Sequence, residues 1–332
     1  RDSIYRSKSK ITLRIMVIEQ RVTVVSLDNI TMKQPTKAII AAAGFGTRFL
    51  PQTKAMPKEM MPLIDKPIIQ YVVEELVQAG IRDIIIVGSA NKRAIEDHFD
   101  VPNEDLLANL RAGGPKKQPL IDTVKQLSEM ANFIYIRQKG PYGNATPLAC
   151  AAHLINRDEP VIYTFADDFI AASPSRFQQM IAASQELDGA VLSCKKIVDD
   201  AEFDRYGVVA GQQLSDGVIK MSNIVEKPGK ANAPSDLASV SSYILPGEFF
   251  SYLEHAKEHF DGHGEFTVQP IMQRMIDDDH AFFGVEITNG TYYDTGDKLE
   301  YLKTVVDFGL KDPVLGPEFA KYLRTHYTDT QA

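Results

Sequence analysis

The chain has 332 residues, 44% of them hydrophobic and 24% charged, the make-up of a globular protein large enough for one big domain with embellishments. A net charge of −8 argues against general nucleic-acid binding, and no apolar run approaches the length of a bilayer-crossing helix, so no membrane role is expected. Cys150 and Cys194 are the only cysteines, which argues against a disulfide framework and fits a reducing cytoplasm.

Residues 1–31 alternate basic and β-branched residues and do not match the rest of the chain. They are expected to be a poorly ordered extension, with an added edge hairpin as the alternative, and neither end of the chain reads as a signal peptide. A single domain is expected from Met32 onward. It opens with Lys37-Ala38-Ile39-Ile40-Ala41-Ala42-Ala43, a continuous apolar run that suits a strand covered on both faces. The run ends in Gly44-Phe45-Gly46-Thr47-Arg48, whose two glycines can take positive φ and turn backbone N–H groups inward around phosphate oxygens, with Arg48 adding a charged fork. The spacing fits neither the dinucleotide fingerprint nor the P-loop, and a plain strand-to-helix turn would use the same glycines.

The next stretch, Lys54-Ala55-Met56-Pro57-Lys58-Glu59-Met60-Met61-Pro62-Leu63, gathers positive charge on a proline-stiffened segment poorly suited to a helix or strand core. In an acidic chain, the segment from Arg48 to Lys66 is the local cluster that would meet an anionic substrate. Pro67 opens an amphipathic helix that Gly80 stops. A strand at residues 81–87, a helix from about Asn91 to His98, and a polar insertion at 101–130 ending in a helix from Leu120 to Met130 come next. Alternation of strands and helices predicts an α/β fold, with the insertion over one sheet edge.

Phe133–Arg137 reads as a further strand, running into Gln138 and the loop Lys139-Gly140-Pro141-Tyr142-Gly143-Asn144-Ala145-Thr146-Pro147. Ligands of open α/β sheets sit beyond the carboxyl ends of strands, so this loop and the Gly44 loop are expected to face one site. Val161–Phe169 reads as one buried strand ending in two acids, Asp167 and Asp168. Carboxylates there suit Mg²⁺, which takes hard oxygen donors; helix capping ahead of Pro174 is the competing reading.

Taken together, Ala-Gly-Phe-Gly-Thr-Arg, Pro-Lys-Glu-Met-Met-Pro-Leu and Lys-Pro-Ile-Ile-Gln-Tyr resemble the sugar-1-phosphate nucleotidylyltransferases. Within them the chain is most similar to the bacterial UTP–glucose-1-phosphate uridylyltransferases, from about Met32 to about Tyr322. The resemblance implies a Rossmann-like, mixed but mostly parallel sheet flanked by helices. It also implies a nucleotide-binding half at about 37–200 and a smaller β-rich, sugar-binding part at about 201–325. The implied reaction joins UTP and glucose 1-phosphate with Mg²⁺ as cofactor, in a homo-oligomer. Arg48, Lys58 and Lys227 would be catalytic, and Ala43, Gly44, Gly46, Thr47, Gln138 and Gly143 would hold the nucleotide, Gln138 reading the pyrimidine edge. Gly207, Glu226 and Lys227 would bind the sugar phosphate, and Asp167 and Asp294 the metal. Asp168 would be a capping or supporting group.

Three segments depart from the family pattern. Gly143–Pro147 replaces the usual Gly-Leu-Gly-His-Ala, Ser241-Ser242-Tyr243 stands where Gly-Arg-Tyr is common, and Gly264–Pro270 matches only at its start. Base and sugar preference are therefore open, with another nucleotide such as dTTP, or a non-catalytic nucleotide-sugar sensor, as alternatives. Leu237–Leu245 is expected to be a returning strand and Asp297 the cap of the last long helix. His255 and His259 share a helix face at zinc-binding spacing, but no third ligand accompanies them, so a solvated face is expected. Phe282, Phe283, Tyr292 and Tyr293 are expected as packing residues.

Overall fold

The computed structural model describes residues 32–327, so the expectation for residues 1–31 lies outside the described residues. In chain order the elements are β1 (Lys37–Ala42), β2 (Pro62–Leu63), β3 (Lys66–Pro67), α1 (Ile68–Gln78), β4 (Asp83–Gly88), α2 (Arg93–Phe99), α3 (Glu104–Ala112), α4 (Gln118–Glu129) and β5 (Asn132–Arg137). They continue with α5 (Thr146–Ala151), β6 (Val161–Phe165), β7 (Asp168–Ala172), α6 (Arg176–Leu187), β8 (Ala190–Lys196), β9 (Gly207–Ser215), β10 (Val218–Glu226) and β11 (Leu237–Leu245). The last are α7 (Phe249–Glu258), α8 (Val268–Asp277), β12 (Phe282–Glu286), β13 (Gly290–Asp294), α9 (Lys298–Lys311) and α10 (Gly316–His326).

Nine strands form the main sheet in the order β5-β4-β1-β6-β11-β8-β12-β10-β9. The β5-β4-β1-β6 block is parallel, as is the β8–β12 pair, whereas β11 and β10 run antiparallel to their neighbours. The expected mixed α/β sheet is thus present. Its β1 strand reads as a continuous apolar run because both faces are covered. Ala38, Ile40 and Ala42 pack into one core with α1, and Ile39 packs into the other with Leu148 of α5 and Phe249 and Leu253 of α7. Each such fully buried Ile is worth about 1.5–3 kcal/mol of apolar burial.

Helix α1 forms as its pattern dictates. Ile68, Ile69, Val72, Val73 and Leu76 are buried on one face, and Gly80 follows the C-cap Ala79. The insertion at 101–130 becomes α3 and α4, ahead of the edge strand β5.

One expectation needs correction. Val161–Phe169 is not one strand: β6 ends at Phe165, and Asp168 opens β7, which leaves the main sheet to pair antiparallel with β13. Asp168 caps no helix, since Ser175 caps α6 through a reciprocal box with Gln178. Asp297 does cap α9, accepting from the Leu299 and Glu300 N–H groups. Ser242 points into the sheet, bonded to Thr164 at 2.8 Å, rather than toward a ligand.

Candidate active site

Four parallel strands end together. Gln138, just past β5, donates its N–H to Gly88 O at the end of β4 (2.8 Å), and Ala166, just past β6, donates to Ala41 O of β1 (3.3 Å). The loops after β1, β5 and β6 therefore open on the same side of the sheet, where ligands of such folds bind.

A cleft lies there in two adjoining halves. The first, about 400 Å³, is walled by Ala43, Gly44, Gln138, Gly143, Asn144 and Glu265 among others. The second, about 460 Å³, is walled by Gly46, Thr47, Arg48, Tyr206, Tyr292 and Asp294 among others. Lys58 and Asp167 line both. The structure thus brings together the expected nucleotide residues, Arg48, Lys58 and the two expected metal carboxylates.

Lys58 and Asp167 are bonded directly to each other, and each is about one-fifth exposed. Burial pulls the Lys58 ammonium pKa down, but the adjacent Asp167 carboxylate outweighs this and holds it above its ordinary value. Asp294 is brought beside Asp167 by the β7–β13 ladder, in which Asp168 pairs with Asp294, and by Thr295, whose N–H and hydroxyl both donate to Asp167 O. Burial raises the Asp294 carboxyl pKa, and the charge of Asp167 adds to the rise.

Gly296 forms the floor between these acids. A Cβ there would stand 3.1 Å from Asp167 Oδ2, 3.2 Å from Asp294 Oδ1 and 3.7 Å from Arg48 Nη1. Arg48 donates to Gly296 O at 3.1 Å. Two carboxylate oxygens converging over a bare glycine, open to a cleft, fit a small hard cation that takes its remaining ligands from water and phosphate. Among the described residues no group of three or more His, Cys, Asp and Glu is placed to hold a metal by itself, and His255 and His259 stack on each other at 4.1 Å.

Gly44 and Gly46 differ. Gly46 takes φ 63°, as expected of a turn glycine, but Gly44 does not enter the left-handed region. Gly143 takes φ 140°, and a Cβ there would come within 2.1 Å of Phe266 O, so only glycine fits this contact. The contact belongs to a larger seam. Phe266 N–H donates to Tyr142 O (2.8 Å), Ala145 N–H to Phe266 O (2.9 Å) and Val268 N–H to the Asn144 side chain (2.8 Å). Two segments that depart from the family pattern, 143–147 and 264–270, are therefore one stitched unit, and it carries Glu265 into the first half of the cleft.

Gly207, Glu226 and Lys227 line neither half. Gly207 and Glu226 pair at the open end of the β9–β10 hairpin, and the Lys227 N–H donates to Tyr206 O at 3.2 Å. The Lys227 and Glu226 side chains are more than half exposed, with 3.8 Å between their charged atoms. Lys227 has φ 45°, an uncommon conformation for a residue with a Cβ. Their neighbour Tyr206 does face the second half. Tyr292, expected only as packing, is also part of that wall and donates to Asp168 Oδ2 at 3.2 Å; Tyr293 is core. Sequence reasoning gave no role to Asn144, Glu265, Glu59 or Lys92. Of these, Glu59, set beside Lys58 in a charged run, and Glu265, in the matching start of Gly264–Pro270, carried a visible signal.

A cleft of this kind, with a glycine turn, cations and paired acids at the ends of parallel strands, is that of a nucleotide-phosphate enzyme. The nucleotidyl transferase family profile matches residues 37–308, and the chain belongs to that family. It is 39% identical over 293 residues to the UTP–glucose-1-phosphate uridylyltransferase of Bacillus subtilis, covering 88% of this chain and 97% of that one. It is 40% identical over 294 residues to UTP–glucose-1-phosphate uridylyltransferase 2 of Staphylococcus saprophyticus, covering 88% and 98%. Among solved structures, UTP-bound UDP-glucose pyrophosphorylase of Acinetobacter baumannii superposes with a TM-score of 0.78 at 33% identity, covering 89% of this chain and all of that one.

Proposed function

We propose that this protein transfers a uridylyl group from UTP to glucose 1-phosphate, giving UDP-glucose and pyrophosphate. The observation that carries the reading is the Lys58–Asp167 pair, where the two halves of the cleft meet. The relatives named for this reaction, about two-fifths identical over nearly their whole length, support it. The first half would take the nucleoside, with Gln138 at the pyrimidine edge, and the second the β- and γ-phosphates of UTP together with the sugar phosphate. The α-phosphate would then sit at the seam.

The chemistry asks little covalent work of the protein. The second pKa of the sugar phosphate is near 6 by analogy with phosphorylated side chains, so its attacking oxygen is already largely ionised at neutral pH. That oxygen forms the new bond to the α-phosphorus as the bond to the bridging oxygen breaks, and pyrophosphate leaves with the electron pair. No side-chain nucleophile or base is consumed. The protein has to align two anions and neutralise charge growing on the leaving group. Arg48 and Lys58 would do this for the triphosphate. Lys227 would hold the attacking phosphate by reaching its exposed side chain past Tyr206 toward the second half.

Asp167 and Asp294 would hold Mg²⁺, whose charge, when bound, offsets that of the phosphates. The free thiols Cys150 and Cys194 support a reducing, cytoplasmic setting, and no helix among the described residues is long and apolar enough to cross a membrane. The family resemblance also carries the expectation of a homo-oligomer, which sedimentation would test. Incubation with UTP, glucose 1-phosphate and Mg²⁺ should give UDP-glucose and pyrophosphate by mass spectrometry. Absence of both products would overturn the reading.

A further inference from the structure

Two side chains outside both halves of the cleft grip the glycine turn. The Lys92 ammonium donates to Gly44 O at 2.7 Å and to both oxygens of Glu59 at 2.7 and 3.0 Å, and both side chains are almost fully buried. The Thr53 hydroxyl, also buried, donates to Gly46 O at 2.7 Å. Lys92 faces instead a smaller hollow beside β4, β5 and α2. Its stem lies against Gly88, where a Cβ would come within 3.2 Å of Lys92 Cβ. Gly88 O in turn accepts from Gln138 N–H, so the Gly44 and Gln138 loops are tied through one point.

The peptide bonds after Gly44 and Gly46 are trans, since Leu50-Pro51 and Ser173-Pro174 are the cis bonds of the described chain. In a trans peptide the carbonyl and the following N–H point in opposite directions. Drawing the Gly44 and Gly46 carbonyls back onto Lys92 and Thr53 therefore turns the Phe45 and Thr47 N–H groups the other way, and Phe45 and Thr47 line the cleft. We propose that Lys92, braced by Glu59, and Thr53 are positioning residues that fix two backbone N–H groups as the anion-binding face for the triphosphate. The proposal rests on the UTP reading above. A buried ammonium suits the task because its partner carboxylate cannot be left alone: burial pushes the Glu59 carboxyl up in pKa, and the Lys92 and Lys58 cations pull against that rise. The cation therefore stays in place whether or not nucleotide is bound.

Amide hydrogen exchange on the wild-type protein tests this without any substitution. Saturating UTP should slow exchange at the Phe45 and Thr47 amides. UTP bound with exchange unchanged at both overturns the clamp, whereas a wild-type protein that binds no UTP overturns the nucleotide reading and the clamp with it. Variants give the second measurement. Thr53→Val, and Lys92→Met combined with Glu59→Leu so that no buried charge is stranded, should melt near the wild type. Each should bind UTP about tenfold more weakly, the equivalent of one charge-assisted hydrogen bond, and leave uridine affinity unchanged. Folded variants with unaltered UTP affinity, or with equal losses for uridine and UTP, contradict the proposal.

Discussion

Lys58 is bonded to Asp167 across 109 positions of sequence, at the point shared by both halves of the cleft. One of these groups is the cation expected to meet the triphosphate and the other the acid expected to meet the metal. In the free protein each neutralises the other, so neither partly buried charge stands alone. Binding of a cation–nucleotide complex would exchange one pairing for two, with the metal taking Asp167 and phosphate taking Lys58.

Asp167→Asn should therefore remove nearly all activity while leaving the protein folded. Asp168→Asn should do the reverse, because Asp168 is buried against Arg176 at 3.6 Å and accepts from Tyr292. Its loss should cost up to about 3 kcal/mol of stability, with a much smaller fall in turnover. Turnover and melting temperature measured on both variants check this. Equal activity losses with equal stability would mean that the metal acid is misassigned.

Arg48→Ala and Lys58→Ala should each lower kcat by about a hundredfold or more and change KM for UTP far less, because their charge is needed most as pyrophosphate departs. Steady-state kinetics at saturating glucose 1-phosphate read the split. A raised KM with normal kcat would make them simple binding residues.

Glu75 gives a pH dependence of stability rather than of activity. Burial pushes its carboxyl from 4.5 to about 7, against the opposing pull of Arg176 at 2.9 Å. Between those two values the folded chain holds a proton that the unfolded chain has released. Stability from this group is thus full below 4.5 and lost as pH rises through about 7. Glu75→Gln cannot titrate, so wild type should lose stability relative to the variant across that window. Denaturant unfolding at both ends of the window measures it, and a constant difference would contradict it.

Much of this arrangement was legible in the sequence, and the misses have physical causes. The β1 run declared a strand covered on both faces, and the strand-end rule set the Gly44 and Gln138 loops toward one site, whereas the roles expected of Arg48, Lys58, Gln138 and Asp167 came from the family resemblance. The break between β6 and β7 could not be read, because no glycine or proline marks Ala166-Asp167 and the partner strand β13 lies more than a hundred residues on. The antiparallel insertion of β11 is likewise a long-range choice that local patterning does not encode. Lys92 looked like the polar start of a helix, and only the fold shows it buried. The placement of Gly207, Glu226 and Lys227 beside the cleft depends on a hairpin's position, which sequence leaves free.

Asn144 holds Val268 N–H and so joins the two segments that differ from the family. Asn144→Ala should loosen the wall proposed to meet the base, at a cost of about 1–3 kcal/mol for the N–H left unpaired. One methyl group discriminates by only about 1–3 kcal/mol, so the ratio of kcat/KM for dTTP to that for UTP should rise about fivefold or more. A lowered melting temperature with an unchanged ratio would confine Asn144 to stability.

The most direct test of the account is competition among UTP, dTTP, ATP and GTP with glucose 1-phosphate as acceptor, following the nucleotide sugar formed. A first half in which Gln138 reads a pyrimidine edge predicts UTP as the best substrate, measurable use of dTTP across the altered Gly143–Pro147 wall, and poor use of both purines. A clear preference for ATP or GTP would contradict both the role of Gln138 and uridylyl transfer as the reaction.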